Sequence, residues 1–163
     1  MGRILDAVHP AVLVVENEED ALDSYAGTPE QYGAELMVAC RAAHDRAIRC
    51  TDGGLLSGHL VDAVYQHYID TGQTASATSF ADRAFQDFQK RAVATAAGRA
   101  AIRSAAARIE EIVQVERSAP VDFVNFHWYV ENPAALAEAV GFLREASGLD
   151  AVSNEIGQRN DDP

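Results

Sequence analysis

Apolar residues follow two different periods along this chain. Short apolar runs predict buried strands at residues 11–15, 47–51, 121–126 and 149–153. The run Val12-Leu13-Val14-Val15, without polar alternation, suits a parallel sheet covered on both faces. Between them the spacing changes to three and four residues. Tyr32, Leu36, Met37, Cys40 and Ala43 predict a helix from Thr28 to about Arg46, with Thr28 as N-cap and Pro29 at its first position. Leu60, Val64 and Tyr68 predict a helix over 55–69, broken by Asp70-Thr71-Gly72. Ser79 can cap a short helix carrying Phe80, Ala84, Phe85 and Phe88. Ile102, Ile109 and Ile112 mark the apolar face of an Ala-rich helix over 92–115. Leu136, Val140 and Leu143 mark a helix opened by Asn132-Pro133 and stopped by Gly148. Residues 2–9 predict one helical turn before Pro10.

Strands alternating with helices predict an α/β fold with a parallel sheet and helical crossovers. The chain has 163 residues, 48% of them hydrophobic, enough to bury the core of one domain. That domain spans residues 1–163, with a helical elaboration at about 70–118 inside it.

Charge narrows the partners. The formal net charge is -12, and phosphate backbones or anionic membranes are met by clustered Lys and Arg. Nucleic acid and membrane are therefore not expected, whereas a neutral ligand such as a sugar is compatible. No apolar run approaches the ~20 residues of a membrane span. The N-terminus shows no secretory signal, so the location is cytoplasmic by default, with secretion of a longer parent protein left open. Cys40 and Cys50 form no Cys-x-x-Cys pair and read as small buried hydrophobes in a helix and a strand. His44, His59 and His67 sit at helical positions without carboxylates at ligand spacing, so neither a metal nor a cofactor is expected. Neither Gly-x-Gly-x-x-Gly nor a P-loop occurs, which disfavours a nucleotide-binding doubly wound enzyme.

Each predicted strand ends in polar or special residues: Asn17-Glu18, Asp52-Gly53-Gly54, His127-Trp128-Tyr129 and Asn154-Glu155. Parallel α/β folds bind ligands at the C-terminal ends of their strands. Two glutamates there suit glycoside hydrolysis: one protonates the leaving oxygen, and the other attacks the anomeric carbon or activates water to do so. Trp128 offers a flat face on which a sugar ring can stack. Glu16, Glu19 and Asp20 read as ordinary loop carboxylates, and Asp52 reads as a site residue or as the cap of the following helix.

These residues resemble the clan of retaining (β/α)8-barrel glycoside hydrolases that includes cellulases, mannanases and β-xylosidases. Asn17-Glu18 resembles its acid/base motif at the end of the fourth strand. Asn154-Glu155-Ile156-Gly157-Gln158 resembles its nucleophile motif at the end of the seventh. Residues 124–129, ending in His127-Trp128-Tyr129, resemble the sixth strand, and residues 48–54 the fifth. The resemblance implies a partial (β/α)8 (TIM) barrel of about four parallel strands, with a partner chain or missing half supplying the rest. It implies Glu18 as acid/base and Glu155 as nucleophile, about 5 Å apart. It implies Asn17 as ligand of a sugar 2-hydroxyl, and His127, Trp128, Tyr129 and Asn154 as further substrate-binding residues. The other reading is a non-catalytic carbohydrate-binding or inactive fragment of such a barrel.

Overall fold

A computed structural model describes residues 2–157. The helices are α1 (Gly2–Val8), α2 (Pro29–His44), α3 (Ser57–Asp70), α4 (Thr74–Ala84), α5 (Asp87–Val93), α6 (Ala96–Ser118) and α7 (Pro133–Ser147). The strands are β1 (Val12–Val15), β2 (Arg49–Asp52), β3 (Val124–Trp128) and β4 (Ala151–Ile156). Local chemistry sets several of these bounds. Thr28 and Gln31 close a capping box on α2, with Pro29 in the first turn. Asn132 caps α7, and Gly148 ends it in a left-handed conformation. The short helix expected after Ser79 is instead two helices: α4 begins at Thr74, and extended backbone at Phe85 and Gln86 separates it from α5.

The sheet departs from the expected barrel segment. β1 pairs with β2 in parallel and β3 with β4 in parallel, as two separate two-stranded sheets. β2 and its following loop meet β3 through two isolated parallel bridges, Thr51 with Phe123 and Leu55 with Phe126. Side chains interrupt the ladder there. Asp122 Oδ2 accepts the Cys50 amide at 2.7 Å, and Asp52 Oδ1 accepts the Asn125 amide at 2.6 Å. Each carboxylate takes a backbone donor that a continuous sheet would give to a neighbouring carbonyl. The four-strand barrel sheet is thus replaced by an α/β arrangement of two small parallel sheets.

One core joins both sheets to the helices. Tyr32, Leu36 and Cys40 of α2, Leu60 and Val64 of α3, Ile109 and Ile112 of α6, Phe126 of β3 and Leu143 of α7 are all buried in it. Among the described residues no helix is long and apolar enough to cross a membrane.

Cys40 and Cys50 are not the free buried thiols expected from the sequence. They form a disulfide that ties α2 to β2. Helix and strand are adjacent because only a short turn separates them, which brings the two Cα atoms to 5.2 Å. Closing so short a loop stabilises by about 3 kcal/mol through the unfolded state. Replacing both cysteines by serine should therefore lower the thermal midpoint by roughly 6–12 °C, measured by calorimetry with and without a reductant. Disulfides persist in oxidising compartments.

Candidate functional site

The parallel pairings and bridges run all four strands in one direction, so their C-terminal ends share a rim. Register then decides which side chains meet. In the β3–β4 pair, an irregularity after Asn125 brings His127 opposite Glu155 and Trp128 opposite Ile156. From the other sheet, the loop after β1 carries Glu18 to the same place. His127 Nδ1 lies 3.0 Å from Glu18 Oε1 and 3.2 Å from Glu155 Oε2. The Tyr129 hydroxyl hydrogen-bonds the other Glu155 oxygen. One imidazole nitrogen thus gathers two carboxylates whose motifs stand at opposite ends of the sequence. Their nearest oxygens lie no more than about 6 Å apart. The pair is unequally exposed: the Glu18 side chain is 22% accessible and that of Glu155 50%.

Two glycines make room for this geometry. A Cβ on Gly53 would stand 2.6 Å from the Asn17 amide nitrogen and from Glu19 Oε2, so the loop after β1 lies directly on the Gly53 backbone. Gly54 has a φ of +97°, and a Cβ there would stand 2.5 Å from His127 Nε2. Glu16 and Glu18 also have positive φ, at 71° and 47°. For residues other than glycine such conformations cost on the order of 1 kcal/mol or more and gather at functional sites. Arg108 of α6 holds this loop from behind, donating to the carbonyls of Glu19 and Gly27 at 3.2 and 3.0 Å.

His127 is fully buried, and its Nε2 has no hydrogen-bond partner among the described residues. A hydrogen on Nδ1 finds carboxylate acceptors, whereas one on Nε2 would find none. The tautomer with Nδ1–H is therefore the one the surroundings favour. Asn17 and Asn154 stand exposed at the rim beside the two glutamates. Trp128 does not present the open face expected for sugar stacking: it is 2% exposed and packs edge-on against Phe126. Gln158, the last residue of the nucleophile-like motif, lies outside the described residues.

Several residues matter more than their sequence context implied. Asn125 is buried and joins the strands: its amide donates to Asp52 Oδ1, and its Oδ1 accepts the Asn154 amide at 3.1 Å. It thereby positions the backbone next to Glu155. Asp52 is not a helix cap, since the N-cap of α3 is Leu56. It is a buried carboxylate held by Thr51, Gly54 and Asn125. Glu19 and Asp20 are not loop carboxylates in solvent, for both are buried. Asp20 accepts from the Leu56 amide and pairs with His59 Nδ1 at 2.6 Å, and His44 pairs with Asp122 at 3.0 Å. These histidines do have carboxylate partners, supplied by distant segments. Behind the rim, Glu19, Asp52 and Glu116 bring one oxygen each to within 4.8 Å of one another. The Glu116 signal was present in the sequence. It shares the buried stripe of α6 with Ile109, Ile112 and Val113, where a carboxylate is out of place.

A cavity of about 330 Å³ adjoins the site, lined among others by His59, Asp62, Gln89 and Tyr129. Asp62 on its wall is 8% exposed, and burial raises its pKa from 3.8 to about 6 against the lowering effect of the Gln89 hydrogen bond. The folded state thus holds the Asp62 proton more tightly than the unfolded chain does. Its ionisation costs nothing below about pH 4 and its full cost above about pH 6, so stability falls as pH rises through that window. Asp62→Asn, whose amide oxygen can still accept from Gln89, should raise stability at pH 7 by about 3 kcal/mol. It should leave stability at pH 4 unchanged. Urea unfolding at the two pH values measures both.

Set against protein-family profiles, curated proteins and solved structures, the chain matches none of them. The glycoside hydrolase reading rests on residues and geometry alone.

Proposed function

We propose that this chain carries the catalytic rim of a glycoside hydrolase acting by retaining double displacement, with Glu155 as nucleophile and Glu18 as acid/base. The observation that carries the reading is the convergence of Glu18 and Glu155 on His127 Nδ1 at 3.0 and 3.2 Å. Retaining pairs stand about 5–5.5 Å apart, and inverting pairs about 6.5–9.5 Å apart to admit a water. Two carboxylates held on one imidazole nitrogen are compatible with the retaining spacing.

In the first step a Glu155 oxygen attacks the anomeric carbon. The bond to the leaving oxygen breaks, and Glu18 delivers its proton to that oxygen. In the second, Glu18 takes a proton from water, whose oxygen displaces Glu155 from the anomeric carbon. Tyr129 and His127 donate to Glu155 and hold its carboxylate in place between attacks. Asn17 and Asn154 supply exposed amides to sugar hydroxyls.

A panel of aryl glycosides tests this directly. Hydrolysis of at least one member, with the first-formed sugar keeping the anomeric configuration of the substrate by NMR, is the expected result. Inverted product would contradict the double displacement. Saturable sugar binding without turnover would instead support the non-catalytic reading.

A further inference from the structure

We propose that Glu19, Asp52 and Glu116 form a buried site for one calcium-sized divalent cation, which clamps the loop carrying Glu18 to β2 and α6. Three elements distant in sequence each aim a carboxylate at one point, and none of the three residues is exposed. Among the described residues both oxygens of Glu116 lack any hydrogen-bond partner, and Glu19, whose side-chain oxygens receive no donor from outside the cluster, faces Asp52 within it. Other buried carboxylates of this chain are treated differently. Asp20 receives the Leu56 amide and His59, and Asp62 receives Gln89. Among the described residues no Lys, Arg or His forms an ion pair with Glu19, Asp52 or Glu116. Arg108, which lies against this loop, donates from one Nη to the Glu19 and Gly27 carbonyls and forms no ion pair with the three carboxylates.

Buried carboxylates without counter-charge are strongly disfavoured and are found paired or coordinating metals. Burial holds all three carboxyls above their ordinary range, and repulsion from Asp52 adds to it at Glu19 and Glu116. Burial, reinforced by the three carboxyls, pushes the Tyr32 phenol upward, and that hydroxyl bridges the Gly53 amide and the Val15 carbonyl beside the cluster. An all-oxygen donor set selects a hard cation over zinc or copper. Size then chooses among hard cations. Ca–O bonds of about 2.3–2.6 Å span oxygen pairs up to roughly 5 Å, whereas Mg–O bonds of about 2.0–2.1 Å reach only about 4.2 Å. Ca²⁺ spans every separation allowed within that 4.8 Å limit, whereas Mg²⁺ spans only the shorter ones.

Glu19 follows Glu18 directly in the chain, so the ion would hold the backbone from which Glu18 projects. The site does not depend on the hydrolase reading, and its test measures no activity. The full chain, stripped with chelator, is titrated with CaCl2 and with MgCl2 by calorimetry, and its thermal midpoint is recorded at each end point. One Ca²⁺ should bind, at least tenfold tighter than Mg²⁺. At a hundredfold excess over Kd the midpoint should rise by roughly 5–10 °C. Glu19→Gln and Glu116→Gln should each weaken Ca²⁺ at least tenfold, while the stripped variants are at least as stable as the stripped parent, having lost one buried carboxyl. No binding heat and no midpoint shift with either ion would overturn the proposal and leave shared protons to hold the cluster. Unweakened Ca²⁺ binding by both variants would also overturn it, by locating the ion elsewhere.

Discussion

Glu155→Gln is expected, on the proposed double displacement, to lower kcat/KM for glycosides by more than about 10⁴-fold, the order seen when a covalent nucleophile is removed. The amide keeps the size of the carboxylate and can still accept from the Tyr129 hydroxyl that now holds Glu155, so the loss would be chemical rather than structural. Glu18→Gln should behave differently. Proton transfer contributes about 10²–10⁴-fold, but only where the leaving group needs a proton. Phenyl glycosides should therefore lose most of their rate. Dinitrophenyl glycosides should form the covalent intermediate almost normally and then stall, so that kcat and KM fall together. Steady-state and burst kinetics on the two leaving groups separate these outcomes. Equal losses on both would remove Glu18 from the acid/base role.

Gly54→Ala should have a large structural effect at the site. At a φ of +97° an L side chain is strained, at about 1–3 kcal/mol. The new Cβ would also stand 2.5 Å from His127 Nε2 and 3.0 Å from Asn125 Nδ2. Neither neighbour can yield freely, since both are buried and held by hydrogen bonds across strands. Together these effects should cost about 3 kcal/mol of stability. Whatever His127 does to relieve the clash moves Nδ1 away from Glu18 and Glu155. Activity should fall at least about tenfold even well below the unfolding midpoint. Gly58→Ala makes the control, because nothing stands within 4 Å of its added Cβ. It should change neither stability nor rate by a comparable amount.

The features legible in the sequence were those fixed by local chemistry. Capping of α2 by Thr28 and of α7 by Asn132 follows from residues within one turn of each helix end. The convergence of Glu18, His127, Tyr129 and Glu155 was legible because parallel strands bring their C-terminal ends together whatever lies between them. Features set by side chains from remote segments were not legible. The continuous barrel sheet fails at the β2–β3 seam because Asp52 and Asp122 intercept backbone donors, which no periodicity records. The pairing of Cys40 with Cys50 depends on the turn that lays α2 against β2. Trp128 reads as a sugar platform by residue type, yet its place in β3 turns it into the core. Glu19 resembles its solvated neighbour Glu16 in composition, and only the close approach permitted by Gly53 buries it.

Labelling with activated 2-deoxy-2-fluoro glycosides, followed by peptide mass spectrometry, tests the assignment of the Glu18–His127–Glu155 site most directly. These reagents trap the covalent glycosyl-enzyme by slowing its hydrolysis. A glycosyl adduct on Glu155, absent from Glu155→Gln and discharged by an acceptor sugar, is the predicted result. An adduct on any other carboxylate, or none from a panel covering the common pyranosides and furanosides, would contradict it.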